Sequence, residues 1–418
     1  MILVTGSTGF LGRELVARLL RLRPDAELCL LVRDQTEHDA LRRVRAALED
    51  IFEPATVQSY LQRIHIVRGD ISEDRFGLGD TEYTQLASKL SAVYHSAATT
   101  TLNHDLPTAR RVNVGGTQHV LDLAEQSARH YGSDFRLYYI STAYVAGARK
   151  GIVRTDELDP AGSFRNAYER SKAEAEALVR SRKDFVSYCI FRPSIIVGDS
   201  VTGQTSAFNV IYGPAKLLVK GLMSRLPALP HAPFDIVPVD YVADTIVYLS
   251  AILPSNGACY HISAGVGRES NPWEIVEQLF STFNKHRRRG RGLLPMPALV
   301  PAEVLALAQT SLEAAKTSMK TLERLVTNRI SVFAQTLPFI PYLVGNPQFE
   351  NSDTIRDTGS ALSLPPLFPS YAERLFMYCL HTNWGKLPWT NPHNFTLWRN
   401  RTVPFSPIVI SQPGQNLL

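Results

Sequence analysis

From Met1 to about Asn271, short apolar runs alternate with stretches whose apolar residues recur every three or four positions. The short runs, bounded by turn formers, predict strands at 2–5, 27–32, 64–68, 92–96, 135–141, 185–191 and 259–263. Several of the stretches between them predict amphipathic helices. Strands that are apolar throughout are covered on both faces, so the alternation predicts an α/β protein with a Rossmann-type doubly wound parallel sheet. Beyond "SNPWE" (270–274) the pattern changes. A basic run, "KHRRRGRG" (285–292), leads into a helical pattern from about Pro301 to Gln335. A proline-interrupted apolar stretch, "TLPFIPYLVG" (336–345), follows, then the helical "YAERLFMYCLH" (371–381) and a tail rich in turn formers. These shifts predict one domain over 1–270 and a smaller, mostly helical region over 271–418, and no internal repeat is visible.

Composition adds little beyond exclusions. The chain has 418 residues, 44% of them hydrophobic and 20% charged, as in ordinary globular proteins. A net charge of +5 suits anionic ligands but is too small to argue for nucleic acid. Cys29, Cys189, Cys259 and Cys379 lie far apart without a C-x-x-C pair, which points to no zinc site or disulfide framework and to a reducing compartment. His65, His95 and His104 lack metal-ligand spacing and read as structural, so no metal site is expected. A first strand beginning at Ile2 leaves no room for a cleavable signal, and no run of about 18 apolar residues marks a spanning helix. The expectation is a cytoplasmic protein, with contact to a membrane surface left open by the apolar stretch after 335.

Chemistry begins in "LVTGSTGFLGRELVARLL" (3–20). Gly6, Gly9 and Gly12 form G-x-x-G-x-x-G between a predicted strand and a predicted helix, the context a dinucleotide-binding turn requires. Glycine there permits positive φ, close approach of backbone N–H groups to a pyrophosphate, and tight helix–strand packing. The end of the second strand reads "LLVRD": Arg33 suits the 2′-phosphate of NADP, while Asp34 keeps NAD open. In "AYERSKAEAEALV" (167–179), Tyr168 and Lys172 stand four apart on one helix face. A phenol beside a fixed cation gives up or shares its proton more readily than a free one. Upstream, "YYISTAYVAG" (138–147) is an apolar strand ending in the hydroxyls of Ser141 and Thr142, at a position that lines the crevice of an open α/β sheet.

Taken in order, "TGSTGFLG", "GDIS", "HSAA", "NVGGT", "STAYVAG", "YERSK" and "FRPSIIVG" resemble an extended short-chain dehydrogenase/reductase over about the first 270 residues. The resemblance implies that Thr142 and Tyr168 hold a substrate carbonyl oxygen, that Tyr168 relays a proton, and that Lys172 binds the nicotinamide ribose and lowers the tyrosine pKa. It also implies cofactor contacts from Thr5, Thr8, Phe10 and Leu11 with the three glycines, from Asp70 and Ile71 beside the adenine, from Ala97 in the groove and from Pro193 near the nicotinamide. Asn113, in "NVGGT", matches an asparagine that supports the catalytic site; a capping or packing role fits it equally.

Three further stretches narrow the resemblance. "LLVR" with the Arg-rich "ALRRVRAALEDIF", "VYHSAATTTLNHDLPTARRVNVGGT" and "PFDIVPVDYVADTIVYL" are similar to fatty acyl-CoA reductases and to thioester reductase domains. "FENSDTIRD" and "LPPLFPSYAERLFMYCLHTNW", ending in Asn383 and Trp384, more loosely resemble the C-terminal region of alcohol-forming fatty acyl reductases. These likenesses imply NADPH-dependent reduction of an acyl thioester, carried on coenzyme A or a carrier protein, to an aldehyde or on to an alcohol. Residues 1–270 would bind NADP, with 200–235 contributing to the substrate site, and 271–418 would bind the acyl chain. Alternatives are a ketone, alcohol or nucleotide-sugar oxidoreductase of the same superfamily and a non-catalytic NADP-binding sensor. Arg287, Arg288, Arg289 and Arg291 suit either coenzyme A phosphates or a solvated loop. The helix expected over 301–335 suits a core-facing role or an acyl or bilayer surface. Asp235, Asp240 and Asp244 read as caps and salt-bridge partners.

Overall fold

The computed structural model describes residues 1–208, 210–252, 256–286, 292–301 and 337–387. The four arginines of 287–291, the helix expected over 301–335 and the tail beyond 387 lie outside the described residues.

Seven parallel strands form the central sheet, in the order Ala258–Ile262, Tyr188–Pro193, Arg136–Ile140, Ala92–His95, Ile2–Thr5, Leu28–Val32 and Ile64–Arg68. Alternate residues supply alternate faces. Val4, Leu30, Tyr138 and Phe191 enter one core with the helices Phe10–Leu22 and Val239–Ala251. Leu3, Cys29, Tyr139 and Ile190 enter the opposite core, with Asp80–Lys89, Gly116–Tyr131 and Ala167–Arg180 over them. This is the doubly wound architecture expected from apolar strands alternating with helices. The sixth strand differs from the run 185–191. Phe185 and Val186 donate their amides to Arg182 in a turn, Phe185 is exposed, and pairing starts at Tyr188.

The helix Phe10–Leu22 shows how closely the layers fit. Arg18 is buried in it, and its charge is met by Glu14 at 2.7 Å and by Asp244 on Val239–Ala251 at 2.6 Å. A buried guanidinium is tolerated only when so paired. Asp244 is thus the salt-bridge partner expected, whereas Asp240 accepts from the Ser200 amide and hydroxyl and Asp235 from the Ala264 amide.

A third core lies beyond the carboxyl ends of the strands. It gathers Tyr144 and Val153, the segment Ile195–Ile236, the helix Pro272–Lys285 and residues Tyr342–Trp384, whose helix Pro369–His381 packs on Pro272–Lys285. Small parallel pairs knit it together, Ile236–Pro238 with Ile195–Val197 and Gln348–Phe349 with Ile152–Val153. Chain order reverses between Ile2–Thr5 and Ala92–His95, and ligands of such sheets bind at that switch point, outside the strand ends.

Candidate active site

The glycine turn sits at the switch point. Gly6 has φ +68°, and a Cβ there would lie 2.7 Å from the Ala97 nitrogen on the neighbouring strand end. A Cβ on Gly12 would lie 2.0 Å from the Gly6 carbonyl oxygen, so the helix can approach the turn only without one. Gly9 caps the helix without any side-chain hydrogen bond, leaving its first turn facing the cavity. A backbone cradle at an uncapped helix N-terminus fits a pyrophosphate.

That cavity, of about 840 Å³, runs from Gly6, Gly9, Phe10, Leu11 and Gly12 past Thr142, Tyr168, Lys172 and Pro193 to an apolar wall that includes Ile195, Ala207, Phe339 and Tyr342. Thr142 lies two residues past the strand Arg136–Ile140; its hydroxyl caps the next turn by accepting from the Tyr144 amide and donates to the Pro193 carbonyl at 3.4 Å. Tyr168 opens the helix Ala167–Arg180, capped by Asn166, which accepts from the Glu169 amide at 3.0 Å. One turn on, Lys172 donates to Tyr139 Oη at 2.9 Å and to the Ile140 carbonyl at 2.8 Å.

The electrostatics depart from the expectation of a phenol acidified by its lysine. Burial pushes Tyr168 up to about 12, against the pull of the Thr142 hydroxyl that faces it. Burial likewise pushes Lys172 down to about 7, although the Glu176 carboxylate opposes it. The lysine is anchored on the Tyr139 hydroxyl and the Ile140 carbonyl of the strand rather than on Tyr168, and burial favours the neutral form of each group.

Asn113 does not line the cavity. It lies in a single π turn, Arg111–Gly115, where it accepts from the Thr99 amide at 2.8 Å and donates to the Thr99 carbonyl and, at 2.9 Å, to the Ser171 hydroxyl. Such turns recur at functional sites. Asn113 thereby locks the 99 loop onto the helix carrying Tyr168 and Lys172. Thr5 also lies behind the cavity, its hydroxyl sharing a 2.7 Å hydrogen bond with His95 and accepting from the Ala97 amide. Ile71 packs over Gly116, and its carbonyl meets His119.

Arg33 and Asp70 line a separate cavity of about 520 Å³ with Asp34 and Arg68, where Arg33 meets Asp70 at 3.4 Å. Burial raises the Asp70 pKa, but hydrogen bonds from Ser72 and the Arg33 charge outweigh it and hold the carboxyl below the usual range. Arg43, which sequence reading noticed only as part of an Arg-rich helix, reaches back to the Arg33 carbonyl, to Asp34 at 3.3 Å and to the Thr8 hydroxyl at 3.2 Å. Its position ten residues after Arg33, in the first turns of the next helix, was the available signal. Tyr144, Ser194, Phe339 and Tyr342 also line the main cavity without having been singled out.

Residues 4–246 match an NAD-binding family described as Male sterility protein. Fatty acyl-CoA reductase 2 of Homo sapiens is 26% identical over 320 residues, covering 68% of this chain and 61% of the human one. The non-canonical nonribosomal peptide synthetase cpsA of Aspergillus campestris is 30% identical over 272 residues, 62% of this chain and 25% of the synthetase. This chain thus spans about three fifths of the curated reductase, and a quarter of the synthetase. Among solved structures, the terminal R domain from the myxalamid PKS-NRPS biosynthetic pathway is similar over 93% of this chain and 92% of its own, with a TM-score of 0.74 and 29% identity.

Proposed function

Because the chain belongs to the NAD-binding family described as Male sterility protein, we propose that it is an NADPH-dependent oxidoreductase that reduces an acyl thioester to an aldehyde. The observation that carries this reading is one continuous cavity with the glycine cradle at one end, Thr142, Tyr168 and Lys172 midway, and an apolar wall at the other. Similarity to a fatty acyl-CoA reductase and to an R domain supports the thioester as substrate, on coenzyme A or on a carrier protein. Residues 1–270 form the cofactor-binding part of this proposal and 271–418, with 200–235, the acyl-binding part; Ala207, Phe339 and Tyr342 on the cavity wall support that division.

Gly6, Gly9 and Gly12, with Phe10 and Leu11, would hold the pyrophosphate, and Pro193 and Lys172 the nicotinamide half. Arg33 and Arg43, flanking Thr8 and the second cavity, would meet a 2′-phosphate. Asp34 is already engaged by Arg43, which supports NADPH over NADH. The bound cofactor supplies hydride to the thioester carbon. The chain's own part is to bind the carbonyl oxygen between Thr142 and Tyr168, to stabilise the negative charge that gathers there, and to deliver a proton from Tyr168 Oη; collapse of the resulting hemithioacetal breaks the C–S bond and releases the thiol with the aldehyde. A phenol pushed up to about 12 retains that proton until the oxygen needs it. Asn113 and Lys172 keep the helix and strand in register. Four free cysteines fit the cytoplasmic setting proposed for it.

Purified protein incubated with NADPH and a panel of acyl-CoA and carrier-bound thioesters tests this, with loss of NADPH absorbance and product analysis as readouts. Turnover of a ketone or a sugar nucleotide with none of any thioester overturns it.

A further inference from the structure

Three buried polar atoms near the reaction centre have no hydrogen-bond partner among the described residues: Tyr144 Oη, Ser194 Oγ and Asp235 Oδ2. Their residues are 3%, 6% and 0% exposed. Buried polar groups are ordinarily satisfied, and each that is not costs stability. The Ser194 hydroxyl faces the Asp235 carboxyl, and the Asp235 charge bears on Tyr144. Asp235 Oδ1 is fixed by the Ala264 amide at 2.9 Å, which leaves Oδ2 to face Ser194.

The placement is rigid. The Tyr144 ring meets Tyr342 and Phe349 edge-on, with centroids 5.2 and 5.3 Å away, and the Arg165 guanidinium lies 5.7 Å from its centre. Ser194 is held by its amide, which donates to the Ile262 carbonyl at 3.0 Å. Both Tyr144 and Ser194 line the main cavity. Tyr144 follows Thr142 by two residues and Ser194 directly follows Pro193, so the unsatisfied atoms stand next to the groups assigned to the thioester carbonyl and the nicotinamide.

We propose that Tyr144 and Ser194, the latter backed by Asp235, form a polar subsite for a hydroxyl or amide on the acyl chain close to the thioester, so that functionalised acyl thioesters are preferred over plain alkyl ones. This rests on the acyl-thioester reading and names its substrate class. Tyr144 Oη donates to the oxygen of such a group. Ser194 donates its O–H to Asp235 and accepts the substrate O–H or N–H with a remaining lone pair. Burial pushes the Asp235 carboxyl up to about 7, and its unprotonated oxygen accepts from Ser194. A methylene chain offers no partner to the Tyr144 hydroxyl or to the Ser194 lone pair, and sites built to pair with a polar group reject the analogue that lacks it.

The test is calorimetric binding to the Tyr168→Phe protein loaded with NADPH, which suppresses turnover. The probes are octanoyl-CoA, β-hydroxyoctanoyl-CoA and hexanoylglycyl-CoA. At least one functionalised thioester is expected to bind about tenfold tighter than octanoyl-CoA, which corresponds to about 1.4 kcal/mol. Ser194→Ala and Tyr144→Phe, each added singly, are expected to bring that ratio to within about threefold of unity. Equal binding of all three probes overturns the subsite, as does a preference that survives both substitutions. Turnover of all three thioesters by the wild-type protein is read separately. Its presence alongside equal binding leaves the thioester reading standing without the subsite. Its absence for every thioester, with the binding preference intact, keeps the subsite and removes the reductase reading.

Discussion

Asn113 reaches from its π turn to donate to the Ser171 hydroxyl across 2.9 Å, one residue before Lys172, while its amide also clasps both backbone groups of Thr99. Ser171 in turn donates to the Tyr168 carbonyl at 3.0 Å, so one side chain ties the 99 loop to the first turn of the helix Ala167–Arg180. Asn113→Ala strips partners from buried groups, and urea unfolding is expected to show a loss of about 1–3 kcal/mol. A positioning role further predicts that kcat falls about tenfold or more while the Kd for NADPH moves little. Equal losses in both would make Asn113 a packing residue only.

The sheet was legible because parallel strands buried on both faces leave unbroken apolar runs, and Leu28–Val32 can hardly be read otherwise, whereas the edge strand Ile64–Arg68 carries His65 and Arg68 toward solvent. The glycine turn, Thr142, Tyr168 and Lys172 were legible because each lies in a local pattern. Tyr144, Ser194 and Asp235 come together from three distant segments, and no periodicity records such a meeting. The state of Lys172 was hidden for a related reason. Its neighbours Tyr139 and Ile140 belong to a strand more than thirty residues upstream, and only packing reveals that they hold its amine in a buried position. Asn113 stood in a recognisable stretch, but the π turn that swings it between Thr99 and Ser171 has no sequence signature.

Arg33 and Arg43 are expected to divide the recognition of a 2′-phosphate. Arg33 is largely exposed at the rim of its cavity, and Arg43 spans Asp34 and Thr8. Charge-assisted hydrogen bonds of this kind give about 1.5–3 kcal/mol, and solvent at the rim reduces that. Arg33→Ala and Arg43→Ala should each weaken NADPH binding about tenfold and leave NADH within about threefold, measured as Kd by fluorescence titration. NADPH affinity unchanged in both variants would remove the clamp.

Tyr168→Phe keeps the ring and deletes the proton. Because Thr142 still faces the carbonyl oxygen, some stabilisation survives, and the expected loss in kcat is about 10²–10⁴-fold, with the Kd for NADPH nearly unchanged. Thr142→Val should cost less, about 10–10²-fold, since it removes a hydrogen bond but no proton. Single-turnover rates with saturating NADPH separate these from cofactor effects. Activity persisting in Tyr168→Phe within threefold of wild type would assign proton delivery elsewhere.

Lys172 makes the strongest prediction about pH. Its folded pKa of about 7 lies well below the ordinary lysine value near 10.5, because burial disfavours the ammonium. Between those two values the unfolded chain binds a proton that the folded chain does not, so stability rises with pH. The contribution is complete above the unfolded pKa and is lost as pH falls toward 7. The slope is at most about 1.4 kcal/mol per pH unit. Lys172→Met, which cannot titrate, should lose that slope while also losing the hydrogen bonds to Tyr139 and Ile140. Urea unfolding of both proteins at several pH values between 7 and 9 isolates the effect, because every other titrating group is shared and cancels in the difference. A difference in stability that stays flat across that range would mean that the lysine remains charged in the fold, and the neutral forms assigned to the phenol and the amine would have to be abandoned together.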